Sequence, residues 1–199
     1  MISAPSGGGK TTLCQQLLTG QEGLTRAVTC TTRAPRKGEQ EGLDYYFLDA
    51  DSFLKRVQAG HFLEHATVHG NSYGTLKSEV VEKLRQGKDV LLNVDVQGAD
   101  AICKRAKEEE ILKRALVTVF LTPATLGELK ERLIKRGTET AASMEKRLGV
   151  ARQEIAQWKH FHYLIISTTI AEDLRRMQSI IAAEKMKQHR AKPPQLTLG

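Results

Sequence analysis

A glycine-rich stretch near the start of the chain contains the residue types that bind phosphate groups. Residues 3–12 read S-A-P-S-G-G-G-K-T-T, close to the phosphate-loop pattern G-x-x-x-x-G-K-[ST], with Ala4 in the place of the first glycine. Glycines let backbone N–H groups turn inward around an anion, Lys10 adds a positive charge, and the Thr11 hydroxyl can ligate Mg²⁺. A glycine-rich turn that precedes a lysine by chance is the alternative. We predict that nucleotide phosphates bind at Ala4, Pro5, Ser6, Gly7, Gly8, Gly9, Lys10, Thr11 and Thr12.

Two other segments place charged side chains where chemistry is expected. Arg33 and Arg36 flank Pro35 in a predicted loop, and two arginine forks at this spacing suit the oxygens of one phosphate group. Taken alone, this segment would be a solvated basic loop. Asp95 ends the apolar run 89–96, so it lies at the carboxyl end of a predicted buried strand, where open α/β sheets bind ligands.

Composition limits the class of protein. The 199 residues are 40% hydrophobic and 27% charged, as in an ordinary soluble domain with one core. No apolar run approaches the length of a membrane span. The three cysteines show no metal-ligand spacing, so we expect a cytoplasmic protein in a reducing compartment.

The formal net charge of +7 does not by itself indicate nucleic-acid binding. Basic residues are interleaved with acidic ones along the chain, and much of the excess lies in residues 185–192. A nucleotide-binding enzyme also needs positive charge. We therefore expect neither a nucleic-acid nor a membrane partner.

Helical and strand patterns alternate along the chain. We predict helices over 10–18, 52–58, 75–86, from after Asp95 to about 109, 126–136, 144–158 and 171–187. Strands are predicted over 26–32, 43–48, 62–68, 89–96, 115–121 and 163–167, with a turn-rich loop over 70–75. This alternation predicts an α/β fold, a parallel sheet with helices on both faces.

Several motifs together resemble the guanylate kinase family, of the bacterial type. They are A-P-S-G-G-G-K-T-T at 4–12, T-T-R-A-P-R-K-G-E-Q-E-G-L-D-Y at 31–45, F-L-E at 62–64, G-N-S-Y-G-T at 70–75, V-D-V-Q-G at 94–98, and R-L-I-K-R-G-T-E-T at 132–140 with R-L at 147–148. The resemblance covers nearly the whole chain and implies the P-loop nucleoside monophosphate kinase fold. It implies a single domain over 1–199, with a core (1–32, 88–131 and 149–199), a small mixed α/β GMP-binding insertion (33–87) and a mobile lid (132–148).

The resemblance also implies an activity and a set of site residues. ATP would phosphorylate GMP, and possibly dGMP, to give GDP and ADP with Mg²⁺ as cofactor and Thr11 as its ligand. The guanine would be bound by Thr29, Glu64 and Thr75, and the GMP phosphate by Arg33, Arg36, Tyr45 and Tyr73, with Asp95 nearby. The catalytic residues implied are Lys10, Arg33, Arg132, Arg136 and Arg147. A homodimer is implied by the family alone.

The chemistry of guanine agrees with these assignments. Guanine presents N–H donors at N1 and N2, so one Glu64 carboxylate can accept from both, whereas adenine has an acceptor at N1. The GMP phosphate, with a second pKa of about 6, is largely ionised at neutral pH and needs no general base. We therefore expect catalysis to depend on positioning and charge neutralisation.

Five residues, at three places in the chain, depart from the family pattern. Asn93 stands where an acid is common, so we expect a weaker contact to substrate or to a Mg²⁺-bound water there. Ser167, Thr168 and Thr169 replace the usual Asn-Asp-Asp, which implies looser selectivity for the phosphate donor. Thr29 stands where serine is frequent and keeps the hydroxyl group.

Other classes of function fit these residues less well. A catalytically inactive scaffold with the same fold tends to lose the phosphate-loop and lid residues, which are present here. A kinase acting on a ribose phosphate has no use for Glu64, Tyr73 and Thr75 as a set that binds a base and a phosphate. The enzyme interpretation is favoured over both.

Overall fold

The computed structural model describes residues 1–68, 70–135 and 141–191. The strands are β1 (Ile2–Ser3), β2 (Leu24–Arg26), β3 (Thr29–Thr31), β4 (Tyr45–Phe47), β5 (Phe62–Val68), β6 (Asn71–Leu76), β7 (Asp89–Leu91), β8 (Val119–Pro123) and β9 (Tyr163–Ser167). The helices are α1 (Lys10–Gly20), α2 (Ala50–Gln58), α3 (Lys77–Arg85), α4 (Val96–Ala106), α5 (Glu110–Ala115), α6 (Leu126–Lys135), α7 (Ala141–Ile155) and α8 (Ile170–Met186), with a short 3₁₀ turn at Trp158–His160.

The first of two sheets is parallel. Strand β2 pairs with β7, and β1 pairs with β8, which pairs with β9, all in parallel. A parallel bridge from Ile2 to Asn93 joins the two groups, and the Ile2 N–H donates to the Leu92 carbonyl over 2.8 Å. The strand order is therefore β2-β7-β1-β8-β9, and the sheet is parallel, as the alternating sequence pattern predicts.

Neighbouring residues of β7 and its continuation supply two cores on opposite faces of this sheet. Leu91 packs with buried side chains of α1 and α8, whereas Leu92 packs with buried side chains of α3, α4 and α5. Successive side chains of a strand point to opposite faces, so this split places helices on both sides. The predicted fold class is confirmed.

The second sheet is mixed and has the order β4-β3-β6-β5. Strand β3 is parallel to β4 and antiparallel to β6, and β6 forms a hairpin with β5. Helix α2 is capped by Asp49, whose carboxylate accepts from the Ser52 N–H over 2.7 Å. The ring of Phe53 on this helix stacks on Phe62 of β5, with centroids 4.6 Å apart.

The prediction of a loop over 70–75 was wrong. These residues form most of β6, and the following helix begins at Lys77 instead of Thr75. The misleading residue is Gly74, which reads as a turn former but lies in the middle of the strand. A Cβ atom at Gly74 would lie 2.8 Å from Cδ1 of Phe62, so the glycine is needed for close packing of the ring.

Several other element bounds also differ from the sequence prediction. The segment 26–32 divides into β2 and β3, which belong to different sheets, and 89–96 is strand only over Asp89–Leu91. The helix predicted to reach about 109 ends at Ala106, and α5 follows it. That extra helix moves the start of the next strand from 115 to Val119, since α5 occupies residues 110–115.

Within the described ranges, no helix combines the length and the apolar character needed to cross a bilayer. The bounds proposed for the GMP-binding insertion and the lid remain predictions. Residues 136–140 of the predicted lid, including Arg136, lie outside the described residues.

Candidate active site

The loop between β1 and α1 has a backbone that only glycines adopt easily. Gly7 and Gly9 have φ angles of 88° and 93°, in the left-handed region. A Cβ atom at Gly8 would lie 3.0 Å from Cβ of Ala4, so the alanine that replaces the usual first glycine fits because Gly8 has no side chain. Helix α1 begins at Lys10, directly after this loop. The loop therefore presents a helix N-terminus, which favours an anion.

Lys10 points from the loop toward the carboxyl end of β7. Its ammonium group donates to the Val94 carbonyl over 2.7 Å. Burial lowers the pKa of Lys10, and the negative charges of Asp95, Glu154 and Glu64 oppose that effect. Lys10 thus lies among three acidic side chains from three different elements. Ser6, Thr11 and Thr12 are exposed beside it.

Four predicted site residues form one row across the mixed sheet. Tyr45 of β4 is paired with Thr29 of β3, Thr29 with Thr75 of β6, and Thr75 with Glu64 of β5. Residues paired in this way project from the same face of a sheet. The pairing brings together side chains that are up to 46 positions apart in the sequence, from Thr29 to Thr75.

Glu64 is the acceptor at one end of this row. The Thr75 hydroxyl donates to its Oε1 over 2.6 Å. Burial raises the pKa of the Glu64 carboxyl, the Thr75 hydrogen bond acts in the opposite direction, and the charge of Asp95 raises it further. A Cβ atom at Gly98 of α4 would lie 3.4 Å from Glu64 Oε2 and 3.3 Å from Asp95 Oδ1. The two carboxylates therefore converge on one point beside Lys10.

Arg33 lies beside the tyrosine end of the row. Its guanidinium carbon is 5.4 Å from the centre of the Tyr45 ring, and the Tyr45 and Tyr73 rings meet edge to face with centroids 6.2 Å apart. Arg33 Nη2 also donates to both carboxylate oxygens of Glu39, over 2.7 and 2.9 Å. This bidentate pair raises the pKa of Arg33. The Arg36 side chain is exposed, while its N–H donates to Glu39 over 2.7 Å.

Arg132 of α6 lies against the phosphate loop. A Cβ atom at Gly9 would be 3.8 Å from Arg132 Nη1, and this same nitrogen donates to the Ser167 hydroxyl over 3.0 Å. Arg147 is exposed on α7. Of the predicted catalytic residues, Lys10 and Arg132 are thus brought together at the loop, and Arg33 lies at the mixed sheet.

Three acidic residues that the sequence analysis did not select also contact these groups: Glu39, Glu154 and Asp173. Burial raises the pKa of the Glu154 carboxyl, and a hydrogen bond from the Ser6 N–H opposes that effect. This carboxyl therefore lies beside the phosphate loop. Its position seven residues after Arg147 on α7 puts both on one helix face, and that spacing was a usable signal. Glu39 and Asp173 carry no such signal, because their contacts depend on loop and strand-end geometry.

Comparisons with known proteins agree with this geometry. The family model for guanylate kinase matches residues 1–184. The chain belongs to the guanylate kinase family. The guanylate kinase of Clostridium tetani is 41% identical over 192 residues, which cover 96% of this chain and 88% of that protein. The guanylate kinase of Coxiella burnetii is 41% identical over 186 residues, covering 94% and 87%.

A solved structure supports the same conclusion. The crystal structure of guanylate kinase from Anaplasma phagocytophilum matches with a TM-score of 0.68 and 33% identity, covering 95% of this chain and 86% of that one. Family membership and the nucleoside monophosphate kinase fold, both predicted from the motifs, are therefore confirmed. The roles of individual site residues stay predictions, to which the next subsection turns.

Proposed function

We propose that this chain transfers the γ-phosphoryl group of ATP to GMP, giving ADP and GDP. The observation that carries the proposal is the row Tyr45, Thr29, Thr75 and Glu64, whose acidic end lies close enough to Lys10 for its charge to act on that ammonium group. A base-binding surface and a phosphate loop therefore adjoin. A nucleoside monophosphate bound along the row would thus lie next to the loop that holds the phosphate donor, and such proximity of donor and acceptor favours phosphoryl transfer.

Guanine binds, in this proposal, at the acidic end of the row. An ionised Glu64 accepts from the N1 and N2 donors of the base, and the Thr75 hydroxyl fixes the carboxylate by its 2.6 Å hydrogen bond. Thr29, on the neighbouring strand, offers a second hydroxyl to the purine. Adenine presents an acceptor at N1, so it leaves the partly buried carboxylate without its partners, which is costly.

The GMP phosphate binds near the other end of the row. Tyr45 and Tyr73 supply hydroxyl donors, and Arg33 and Arg36 supply guanidinium groups. Glu39 holds Arg33 by a bidentate pair, so an arriving phosphate competes with that carboxylate for the guanidinium. Asp95, the N-cap residue of α4, lies near Glu64 at the acidic end of the row, and we assign it a role in orienting GMP.

Phosphoryl transfer then depends on positioning and charge. The loop N–H groups and Lys10 hold the ATP phosphates in line with the GMP phosphate oxygen, which attacks without a general base. Arg132, Arg136 and Arg147 neutralise the charge that spreads over the transferred group. Closure of the lid, residues 132–148, excludes water and so prevents transfer to water.

Guanylate kinases generally use Mg²⁺ with ATP. The residues here fit an ion that arrives with the nucleotide: the Thr11 hydroxyl is exposed at the loop, and the described ranges hold no cluster of three or more His, Cys, Asp or Glu side chains suited to a metal. Thr11 would therefore hold the ion together with ATP phosphates. When bound, Mg²⁺ neutralises charge on the β- and γ-phosphates.

The cellular compartment, the acceptor nucleotides and the oligomeric state are also part of this proposal. Cys14, Cys30 and Cys103 are free thiols, which agrees with work in the cytoplasm. We propose GMP, and also dGMP, as acceptors, because none of the contacts assigned above to the base and the phosphate involves the ribose 2′-hydroxyl group. A homodimer is proposed from the family alone, and sedimentation of the purified chain in an analytical ultracentrifuge tests it.

The experiment that tests the proposed activity is a coupled assay of ADP release with ATP, Mg²⁺ and each of GMP, AMP, CMP and UMP. We expect turnover with GMP and at most about a thousandth of that efficiency with the other three. Lys10→Ala should lower kcat by about 10²-fold or more while the chain stays folded. Lys113→Ala, on the distant helix α5, is the matched control and should leave turnover unchanged.

Each outcome has a distinct meaning. Equal turnover with all four acceptors would remove Glu64 from its role, and full activity in Lys10→Ala would remove the phosphate loop from the mechanism. Absence of turnover from a folded wild-type sample that does not bind GMP would overturn the proposed function.

A further inference from the structure

A buried chain of hydrogen bonds stands behind Arg132. Ser167 ends β9 and Asp173 lies in the first turn of α8, and their exposed fractions are 3% and 4%. The Ser167 hydroxyl is 2.6 Å from Asp173 Oδ2, and the Thr168 N–H donates to Asp173 Oδ1 over 3.2 Å. Both oxygens of this buried carboxyl are therefore hydrogen-bonded.

The direction of these bonds follows from the chemistry of the groups. An ionised carboxylate only accepts hydrogen bonds, so the Ser167 hydroxyl hydrogen points to Asp173. Its oxygen lone pairs are then turned toward Arg132, whose Nη1 lies 3.0 Å away. Arg132 Nη2 also lies 3.4 Å from the Ser167 carbonyl. The guanidinium is thus held by two oxygens of a single residue.

This arrangement orients Arg132 without neutralising it. Among the described residues, no carboxylate forms a direct ion pair with Arg132. Arg33 differs, because its Nη2 is paired with both carboxylate oxygens of Glu39. A guanidinium held by neutral oxygens keeps its full charge and several N–H donors for a phosphate anion. Its Nη1 already lies at the phosphate loop, 3.8 Å from the place of a Cβ atom on Gly9.

Asp173 is not the N-cap residue of α8. Thr169 caps that helix, since its hydroxyl accepts from the Glu172 N–H over 3.3 Å, and Glu172 and Asp173 are both acidic residues of the first turn. Unlike the exposed end of a helix, a buried carboxyl group costs free energy unless its partners repay the desolvation. Its partners here are the hydroxyl that holds Arg132 and the adjoining N–H.

We propose that Ser167 and Asp173 are positioning residues, which hold the guanidinium of Arg132 at the phosphate loop. The proposal rests on the function proposed above for Arg132. Asp173 fixes the serine hydroxyl, the hydroxyl fixes the guanidinium, and the guanidinium meets the phosphoryl group without first breaking an ion pair. Because both residues are buried, we assign neither of them a contact with a substrate.

A double-mutant cycle in the GMP assay tests this. Ser167→Ala should lower kcat about 10- to 100-fold and leave KM for GMP within twofold, because the hydroxyl acts on the transition state through Arg132. In an Arg132→Ala background the same substitution should have no further effect. Asp173→Asn should act in the same direction, and Ser167→Thr, which keeps the hydroxyl, should restore most of the rate. Ser179→Ala, on the exposed face of α8, is the matched control.

A merely structural role would give a different pattern. Ser167→Ala would then lower kcat by the same factor with and without Arg132, and that result would overturn the proposal. If wild type released no ADP with GMP, the proposed function would fail, but the positioning of Arg132 by Ser167 and Asp173 could still be tested by NMR. The order parameter of the Arg132 Nε–H bond should fall in Ser167→Ala and Asp173→Asn, and an unchanged value in both would overturn the positioning role.

Discussion

At the scale of single residues, the carboxyl group of Glu64 serves two opposed requirements. Guanine binding needs it ionised, while its burial favours the protonated form and raises its pKa. The protein accepts that cost at a position where Thr75 supplies one hydrogen bond and the second carboxylate oxygen faces Gly98. The acceptor is therefore held in place before the base arrives.

The raised pKa of Glu64 predicts how GMP affinity depends on pH. Only the ionised carboxyl accepts from guanine, so affinity should be full above the raised pKa and fall as the pH drops through it. An ordinary glutamate, with a pKa of about 4.3, would lose ionisation only at lower pH. Calorimetric titration of GMP between pH 8 and pH 5 measures this loss.

The GMP phosphate also titrates, near pH 6, so a control is needed. Glu64→Gln keeps the phosphate component and removes the carboxyl component, and its weaker binding should show a shallower pH dependence than wild type. Identical pH profiles in the two proteins would contradict the assignment.

At this scale the sequence was informative where spacing alone carries the chemistry. The order of Gly9, Lys10 and Thr11 predicts a phosphate loop because adjacent residues build it. The pairing of Arg33 with Glu39 and the position of Glu154 near Ser6 were not predicted, because each depends on folded geometry that no local pattern encodes. Arg132 was predicted from a motif, but its partners Ser167 and Asp173 come from a distant strand and helix.

At the scale of elements, β6 places two of the candidate site residues, Tyr73 and Thr75, on either side of Gly74. Gly74→Ala would put a methyl group 2.8 Å from Phe62 Cδ1, an overlap that must move the ring or the strand. We expect about 1–3 kcal/mol of lost stability, measured by urea unfolding, together with a raised KM for GMP. Unchanged stability would show that the ring yields without cost.

The start of α4 predicts a more selective effect. Gly98→Ala places a Cβ atom 3.4 Å from Glu64 Oε2 and 3.3 Å from Asp95 Oδ1, so it should displace the guanine acceptor. We expect KM for GMP to rise about tenfold, worth about 1.4 kcal/mol, with KM for ATP unchanged.

Gly149→Ala is the matched control for this substitution. It is also a helical glycine, on α7, but outside its own helix backbone a Cβ atom there would meet no atom of the described residues within 4 Å. It should stabilise the chain by about 0.5–1 kcal/mol and leave KM for GMP unchanged. An equal change of KM in both variants would contradict the role given to Gly98.

Periodicity predicted most helices well and some strands badly, for identifiable reasons. The apolar stripe of α6 and the apolar run of β9 are local patterns, and both elements lie close to the predicted bounds. Strand β6 was read as a loop because Gly74 serves packing against Phe62, a contact made only in the folded hairpin. Residues 92–94 still pair with Ile2, but the chain leaves the sheet at Asp95, because Asp95 caps α4 instead of extending the strand.

At the scale of the whole molecule, the candidate site lies between two sheets. The parallel sheet supplies the phosphate loop, Asp95 and the strand end that holds Arg132, and the mixed sheet supplies the row that ends in Glu64. Contacts between α4 and β5 join the two sheets beside Glu64 and Gly98. A ligand that touches both sheets should therefore stabilise the whole chain.

Thermal unfolding with GMP tests this linkage. A ligand at 100 times its Kd stabilises the folded state by about 2.7 kcal/mol, which for a chain of this size raises Tm by about 5–10 °C. AMP at the same concentration should give little shift, because Glu64 faces its N1 acceptor. Equal shifts with both nucleotides would mean that binding involves the phosphate alone.

The most direct test of the account compares kcat/KM for GMP and AMP in wild type and in Glu64→Gln. We predict that wild type favours GMP by about 10³-fold or more, and that the substitution lowers this ratio by about 10²-fold, mainly through loss of GMP activity. A ratio that is unchanged in Glu64→Gln would contradict the assignment of the mixed sheet as the surface that selects the base.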